Sequence, residues 1–329
     1  MAIILVTDSL FINDKEHIKQ INQLKQHGHR IERLDKSCAT EEELILEIEK
    51  IEKRVKGKIE GYIIGGIEQV TDRVIDAASG LKAIVFTGAG YKEHIPAYEM
   101  ATKKGIAIAN APGGNAASVA EFTVCMILSM TRQIFSLGHA GNMSFKTTQM
   151  LTNKAIGIVG LGHVGVLVAK QLKALGVNDV AYYSPRRKYH FEGGLGIHYL
   201  PLDEIFRHRD IITLHASKDA GEAYVNKSLI SLMKDNSLLV NASYPGAVDE
   251  QALLSRLKEK EKNISAIFDA PPKLDEFNKL PNTNWYSSKQ QAAYNTVEAN
   301  DTVSAMAITS IVNLLDSGND LFRVNNTPT

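Results

Sequence analysis

Residues 154–176, KAIGIVGLGHVGVLVAKQLKALG, constrain the fold more tightly than any other stretch of the chain. The apolar residues up to Val159 read as a strand, and the run after Gly162 carries helical spacing that closes on Gly176. Between them Gly160, Gly162 and Gly165 form a GxGxxG turn. The three glycines serve different physical ends. The first makes the tight turn, the second lets backbone approach a pyrophosphate, and the third lets the helix pack closely on the strand. The amides that open the helix then hold phosphate charge. Strand, glycine turn and helix in this order imply a parallel sheet with a dinucleotide bound at one end.

The end of the following strand bears on which dinucleotide. A carboxylate about 20 residues beyond the glycines bonds a ribose 2′-hydroxyl, whereas a 2′-phosphate calls for cations. The chain reads VAYYSPRRK (180–188), which places Ser184 19 residues after Gly165 and follows it with Arg186, Arg187 and Lys188. Three positive charges and no carboxylate suit a 2′-phosphate, and so NADP(H). The competing reading is a basic surface turn with no ligand.

The same alternation of strands and helices runs along the chain. Ala2–Asp8, His29–Asp35, Ile59–Gly66, Leu81–Gly88 and Gly105–Ala111 read as one set of strands. A second set is Ala155–Gly160, Asp179–Ser184, Asp210–Ala216, Ser237–Ser243, Ile264–Asp269 and Asn284–Ser287. The fold class is therefore α/β, with two doubly wound parallel-sheet domains, and 329 residues are enough for both. Thr40 and Glu43 form a capping box ahead of one helix, and Ser118 and Glu121 form another ahead of a helix that is apolar almost all round. Such a helix has to be buried, between domains or between subunits. A Gly/Asn/Thr-rich stretch, 138–153, links the two blocks, and a long helix from Val297 to about Asp316 ends the pattern.

Composition excludes several classes of function. Hydrophobic residues make up 44% and charged residues 22%, enough to build real cores. Lys plus Arg and Asp plus Glu both number 37, so the basic excess of a nucleic-acid groove is missing. No apolar run approaches the roughly 18 residues of a membrane span. The opening Met-Ala-Ile-Ile-Leu-Val has no basic n-region and reads as a first strand, which makes a cytoplasmic location the expectation. Cys38 and Cys125 are too few and too far apart for a redox motif or a disulfide framework, and both are expected reduced. The ten histidines show no metal-ligand spacing, so no metal is expected; His27 and His29, either side of Gly28, read as solvated.

Several stretches together resemble the D-isomer-specific 2-hydroxyacid dehydrogenases: NAPGGNAASVAE (110–121), GIVGLGHVG (157–165), DIITLH (210–215), LLVNAS (238–243) followed by GAVDEQAL (246–253), AIFDA (266–270) and AAYNTVEA (292–299). The turn YYSPRRK is similar to that of NADPH-using glyoxylate reductases. The resemblance implies a flavodoxin-like substrate domain made of residues 1–105 and 297–329, a Rossmann cofactor domain of 106–296, and an active site in the cleft between them. It also implies a homodimer built on the helix after Ser118. For the cofactor it adds His163, Val164, His215, Ala216, Asn241 and Asp269 to the residues already named. For the substrate carboxylate it implies the turn at Ala89 and Gly90.

The family's catalytic Arg, Glu and His have no direct counterparts. Tyr244 stands where the Arg is expected. The Glu position falls on Leu274, with Asp275 and Glu276 adjacent, and the His position falls on Gln291 or, by a second count, on Ser288. In reduction of a 2-oxoacid the Arg anchors the carboxylate and polarises the ketone, the His supplies the proton and the Glu raises the His pKa. Gln has no proton to exchange near neutrality. Tyr does, but its ordinary pKa near 10 calls for a neighbouring cation, for which Lys92 and Lys289 are the candidates. The catalytic candidates are thus Tyr244, Gln291, Lys92 and Lys289. Two functions fit: an NADP(H)-dependent oxidoreductase with a rebuilt site acting on an unusual keto acid or an imine, and a catalytically silent NADP(H)-binding sensor.

Overall fold

The structure, a computed structural model, describes residues 1–7, 18–34, 38, 40–137, 147–259 and 263–326. The expected strand ends Asp8 and Asp35 and residues 138–146 of the linker lie outside them. The chain divides into two compact units, Met1–Asn115 with Thr296–Thr329, and Ala116–Asn295.

In chain order the first unit opens with β1 (Ile3–Val6), α1 (Ile18–Gln26), β2 (Arg30–Arg33), α2 (Glu41–Val55) and β3 (Ile59–Ile64). It continues with α3 (Asp72–Ala77), β4 (Ala83–Phe86), α4 (Tyr98–Lys103) and β5 (Ala107–Asn110). The second holds α5 (Ala116–Thr131), α6 (Ile134–Leu137), β6 (Ile156–Val159), α7 (His163–Ala174), β7 (Val180–Tyr183), α8 (Tyr189–Leu195) and β8 (His198–Tyr199). It goes on through α9 (Leu202–His208), β9 (Ile211–Leu214), α10 (Lys227–Leu232), β10 (Leu238–Asn241), α11 (Glu250–Leu257), β11 (Ser265–Phe268) and β12 (Trp285–Ser287). The closing helix α12 (Val297–Ser317) returns to the first unit.

Five parallel strands in the order β2-β1-β3-β4-β5 make the sheet of the first unit. One face buries Leu44, Ile48 and Ile51 of α2 with Val74 and Ile75 of α3; the other buries Leu24 of α1 with Ala307, Ile308 and Ile311 of α12. Gly61 lets α12 approach: a Cβ there would meet Ile311 and Leu315 at 3.2 Å. Thr40 caps α2 as expected, its hydroxyl accepting the Glu43 amide at 3.2 Å. A boundary at 105/106 would fall ahead of β5, whereas β5 pairs with β4 and the unit runs on to Asn115. His29 departs from its solvated reading, with 8% exposure and its ring 3.4 Å from Asp316 near the end of α12.

The second unit has seven parallel strands in the order β8-β7-β6-β9-β10-β11-β12, so the winding reverses between β6 and β9. In open α/β sheets the ligand crevice lies beyond the carboxyl ends of the strands at such a reversal. α5 and α7 cover one face; α9, α10 and α11 cover the other. α5 is buried as its composition requires, with Ala116, Val119, Ala120, Val124, Met126, Ile127 and Met130 all buried and most of them inside this unit's own core. Its N-terminus differs from the expected capping box. The helix starts at Ala116, so Ser118 lies within it, and the Ser118 hydroxyl donates to the Ala293 carbonyl at 2.6 Å.

Candidate cofactor and active site

The glycine turn sits at the reversal point. The Gly160 amide donates to Tyr183 O at the end of β7 (2.8 Å), and the His215 amide donates to Val159 O at the end of β6 (2.7 Å). Gly160 has φ +101°, and a Cβ there would come within 2.5 Å of His215 O and 2.8 Å of the Ala216 nitrogen. Glycine alone fits both demands. A Cβ on Gly165 would overlap the carbonyl oxygen of Gly160, so the third glycine is what lets α7 press onto the turn. Gly162 differs from both: nothing lies within 4 Å of where its Cβ would be, and it caps α7 with no side-chain hydrogen bond. Its space and the first amides of the exposed His163 and half-buried Val164 are therefore available to an anion, which is how these residues fit a dinucleotide.

Beyond β7, Ser184 is buried and Arg186 is exposed, while Arg187 is already engaged. Its Nε and Nη2 donate to the two carboxylate oxygens of Glu192, each at 2.8 Å. These hydrogen bonds, with a third from the Tyr182 hydroxyl, hold the Glu192 carboxyl down to about 2. Lys188 is half-buried, and its amide donates to the Tyr182 hydroxyl at 2.7 Å.

His215 follows β9 with its Nε2 2.9 Å from the Thr213 hydroxyl and its Nδ1 buried without a hydrogen-bond partner among the described residues. Burial pushes its pKa down to about 3, so the ring is neutral at pH 7. Asn241 ends β10 and shapes the next turn: its Oδ1 accepts the Ser243 amide and hydroxyl, and its Nδ2 donates to Tyr244 O. Asp269 follows β11 and accepts the amides of Ala292 and Ala293 at 3.0 to 3.2 Å; burial raises its pKa and those amides oppose the rise.

The catalytic candidates fall into different surroundings. Tyr244 is 8% exposed and packs in the core with Val225, Leu253 and Phe268, its hydroxyl donating to Gly221 O. Burial raises its pKa and the nearby Glu222 carboxylate raises it further. That is the environment of a packing residue rather than of an acid near neutrality, and the cation expected to pull the value down is not among the groups shifting it. Gln291 and Lys289 are exposed on the segment before Thr296. Ser288 belongs to the same segment, its amide bonded to Phe268 O. Leu274 is half-buried, and Asp275 and Glu276 are exposed on the short helical turn Asp275–Lys279. Lys92, Ala89 and Gly90 lie in the first unit, where the exposed loop after β4 leaves open space around Gly90 and Asn110 Nδ2 donates to Ala89 O.

Three contacts escaped the sequence. Glu192 as the partner of Arg187 and Gly221 as the acceptor of Tyr244 carry no motif. Glu250, whose carboxylate accepts the Lys273 and Leu274 amides, follows the N-cap Asp249 and could have been suspected from that position. Because the Tyr244 hydroxyl makes one neutral hydrogen bond, Tyr244→Phe is expected to cost about 1 kcal/mol of stability in a urea titration while leaving dinucleotide affinity unchanged. A tenfold loss of affinity would contradict the packing role.

The parallel sheet, its reversal between β6 and β9 and the glycine turn placed there define a Rossmann-type dinucleotide-binding domain. The family model for D-isomer specific 2-hydroxyacid dehydrogenase, NAD binding domain, matches residues 124–284. A Staphylococcus saprophyticus protein named as a putative 2-hydroxyacid dehydrogenase is 30% identical over 272 residues, covering 78% of this chain and 82% of its own. The Sus scrofa D-3-phosphoglycerate dehydrogenase is 33% identical over 250 residues, covering 73% of this chain but 45% of its own, so the chain spans less than half of that relative. An NAD+-bound 3-phosphoglycerate dehydrogenase structure from Entamoeba histolytica superposes with a TM-score of 0.81 over 99% of both chains, a likeness of fold at 22% identity. The chain belongs to the D-isomer specific 2-hydroxyacid dehydrogenase family, whose members are oxidoreductases with a nicotinamide-dinucleotide domain. Among the described residues no helix is long and apolar enough to cross a membrane, and no group of three His, Cys, Asp or Glu could hold a metal ion.

Proposed function

We propose that the chain is an NADP(H)-dependent oxidoreductase acting on a small substrate outside the ordinary 2-oxoacids, an unusual keto acid or an imine. The observation that carries the reading is the turn after β7, where Ser184 stands in the ribose position and the exposed Arg186 and half-buried Lys188 add positive charge. When bound, the nicotinamide supplies or takes up a hydride. Gly160, Gly162 and Gly165 with the first amides of α7 would hold the pyrophosphate. His215 and Ala216 follow β9, which borders the reversal, Asn241 and Asp269 lie at the ends of the next two strands, β10 and β11, and all four would line the same crevice.

On the family's pattern the cation, carboxylate and proton donor that serve reduction of a 2-oxoacid would fall on Tyr244, on Leu274 with Asp275 and Glu276 adjacent, and on Gln291 or Ser288, which supports a different substrate. The first unit would be the substrate domain, with the Ala89 and Gly90 amides taking a substrate anion and Lys92 adding charge beside them. Lys289, exposed on the segment tied down by Asp269, is the candidate left in the second unit for proton transfer. Dimerisation would use the exposed stripe of α5 at Ala117, Glu121 and Cys125.

Fluorescence titration is the test. NADPH is expected to bind at least about tenfold more tightly than NADH, because a charge-assisted contact to phosphate is worth roughly 1.5 to 3 kcal/mol. Changing Arg186 and Arg187 together to Ala should remove most of that preference and leave NADH binding almost unchanged. Equal affinities in the unaltered protein would overturn the cofactor assignment.

A further inference from the structure

The pair between Arg187 and Glu192 does not stand alone as surface ion pairs usually do. The Glu192 carboxylate also accepts the Tyr182 hydroxyl at 2.7 Å, and that hydroxyl in turn accepts the Lys188 amide at 2.7 Å. Tyr182 is a β7 residue with its body fully buried in the core. A core side chain thus reaches out of the sheet to the turn and ties its end to the carboxylate that grips its arginine. The guanidinium is fixed on two sides. Nε and Nη2 face the carboxylate, and the plane lies 4.6 Å from the Tyr189 ring and 5.4 Å from the Tyr199 ring.

What this leaves free decides the role. A side-on pair through Nε and Nη2 uses two of the five guanidinium N–H groups and spares both on Nη1 and the second on Nη2. Those three form an intact fork of the kind that binds a phosphate with two parallel hydrogen bonds. The Arg187 side chain is 44% exposed while Glu192 is 18% exposed, so the carboxylate lies beneath and the arginine above. The adjoining residue Tyr183 accepts the Gly160 amide, which sets this turn directly beside the glycine loop.

We propose that Tyr182 and Glu192 are positioning residues for recognition of the 2′-phosphate, holding Arg187 with its Nη1/Nη2 edge presented to that group. The inference rests on the NADP(H) reading above and adds which residues make the basic turn selective. Pre-ordering matters because a free arginine loses rotamer freedom on binding, whereas this one is ordered beforehand.

Calorimetric titration with adenosine 2′,5′-bisphosphate and with 5′-AMP separates the 2′-phosphate from the rest of the nucleotide. Tyr182→Phe keeps the buried ring and every charge while cutting the relay. It should weaken the bisphosphate about three- to tenfold and leave 5′-AMP within about twofold, the scale of one ordering hydrogen bond. Arg187→Lys keeps the charge but removes the fork, and should lose the bisphosphate to the same degree. Parallel loss of both ligands in Tyr182→Phe would mean a purely structural tyrosine and would overturn the proposal, as would no loss of either. Should the unaltered protein bind both ligands equally, the NADP(H) reading itself fails. Should it discriminate, and lose that discrimination in Arg186→Ala but not in Tyr182→Phe, the positioning role alone fails.

Discussion

Gly165→Ala is expected to lower stability by about 1 to 3 kcal/mol and to abolish measurable dinucleotide binding. The new methyl group would overlap the carbonyl oxygen of Gly160, in a turn whose backbone is held by the Gly160 amide on Tyr183 O and by the His215 amide on Val159 O. Overpacking against fixed backbone is relieved only by moving the helix, and α7 carries the amides that face the phosphate. Gly162→Ala makes the contrast that identifies the cause. Its Cβ meets no atom within 4 Å, and its φ of −92° is open to alanine, so the fold should melt at an unchanged temperature. Affinity should nonetheless fall by at least about a hundredfold, because the methyl group occupies the space through which a pyrophosphate approaches. Thermal melts combined with NADPH titration of the two variants read out both effects. A stable Gly165→Ala protein that still binds would refute the packing role given to that glycine.

The second large effect is on acid stability. His215 has its folded pKa pushed from 6.5 to about 3 by burial, so the unfolded chain binds the proton more readily than the folded one between those values. The stabilisation is therefore complete above pH 6.5 and is lost as pH falls toward 3. Between pH 7 and pH 4.5 this one ring should cost roughly 2 to 3 kcal/mol, at about 1.4 kcal/mol for each unit of pH below the unfolded value. Urea titrations of the unaltered protein and of His215→Gln at the two pH values give the number as a difference, in which Asp269 and the other carboxylates cancel. Equal pH dependence in both proteins would show that the ring does not stay neutral in the fold.

Much of this site was legible in the sequence because glycine roles are local. The turn and the helix packing depend on residues within a few positions, and Gly160 and Gly165 sit as their places in GxGxxG imply, with open space around Gly162 between them. The strands were legible in their cores but overextended by one or two residues, since apolar character continues past the last ladder pair, as at Gly160 after Val159. β8, two residues long with an exposed His198, had no periodicity to read. The capping pattern at Ser118 failed for a related reason. Serine and glutamate at the right spacing mimic a helix start, but the hydroxyl's partner lies 175 residues away. Nor could Tyr244 be assigned from its neighbours, because the carbonyl that accepts its hydrogen bond is 23 residues earlier on another loop.

The Asp269 carboxylate that takes the Ala292 and Ala293 amides has a wider consequence, shared with Glu250 at the Lys273 and Leu274 amides and with Asn241 at the turn before Tyr244. Each loop that carries one of the candidate positions is held by an acceptor that grips main chain, and at the exposed Gln291 the displayed side chain takes no part in that grip. Scaffold and displayed chemistry are separable there, so a lineage can exchange that residue with little cost to the fold, whereas Tyr244 and the half-buried Leu274 pack against the core and exchange at either draws on stability. Histidine placed at 291 or 288 would enter a segment whose main-chain anchor is already in position, while arginine at 244 would have to displace a ring packed in the core, so the order in which such a chemistry could be installed is written into the burial of these positions.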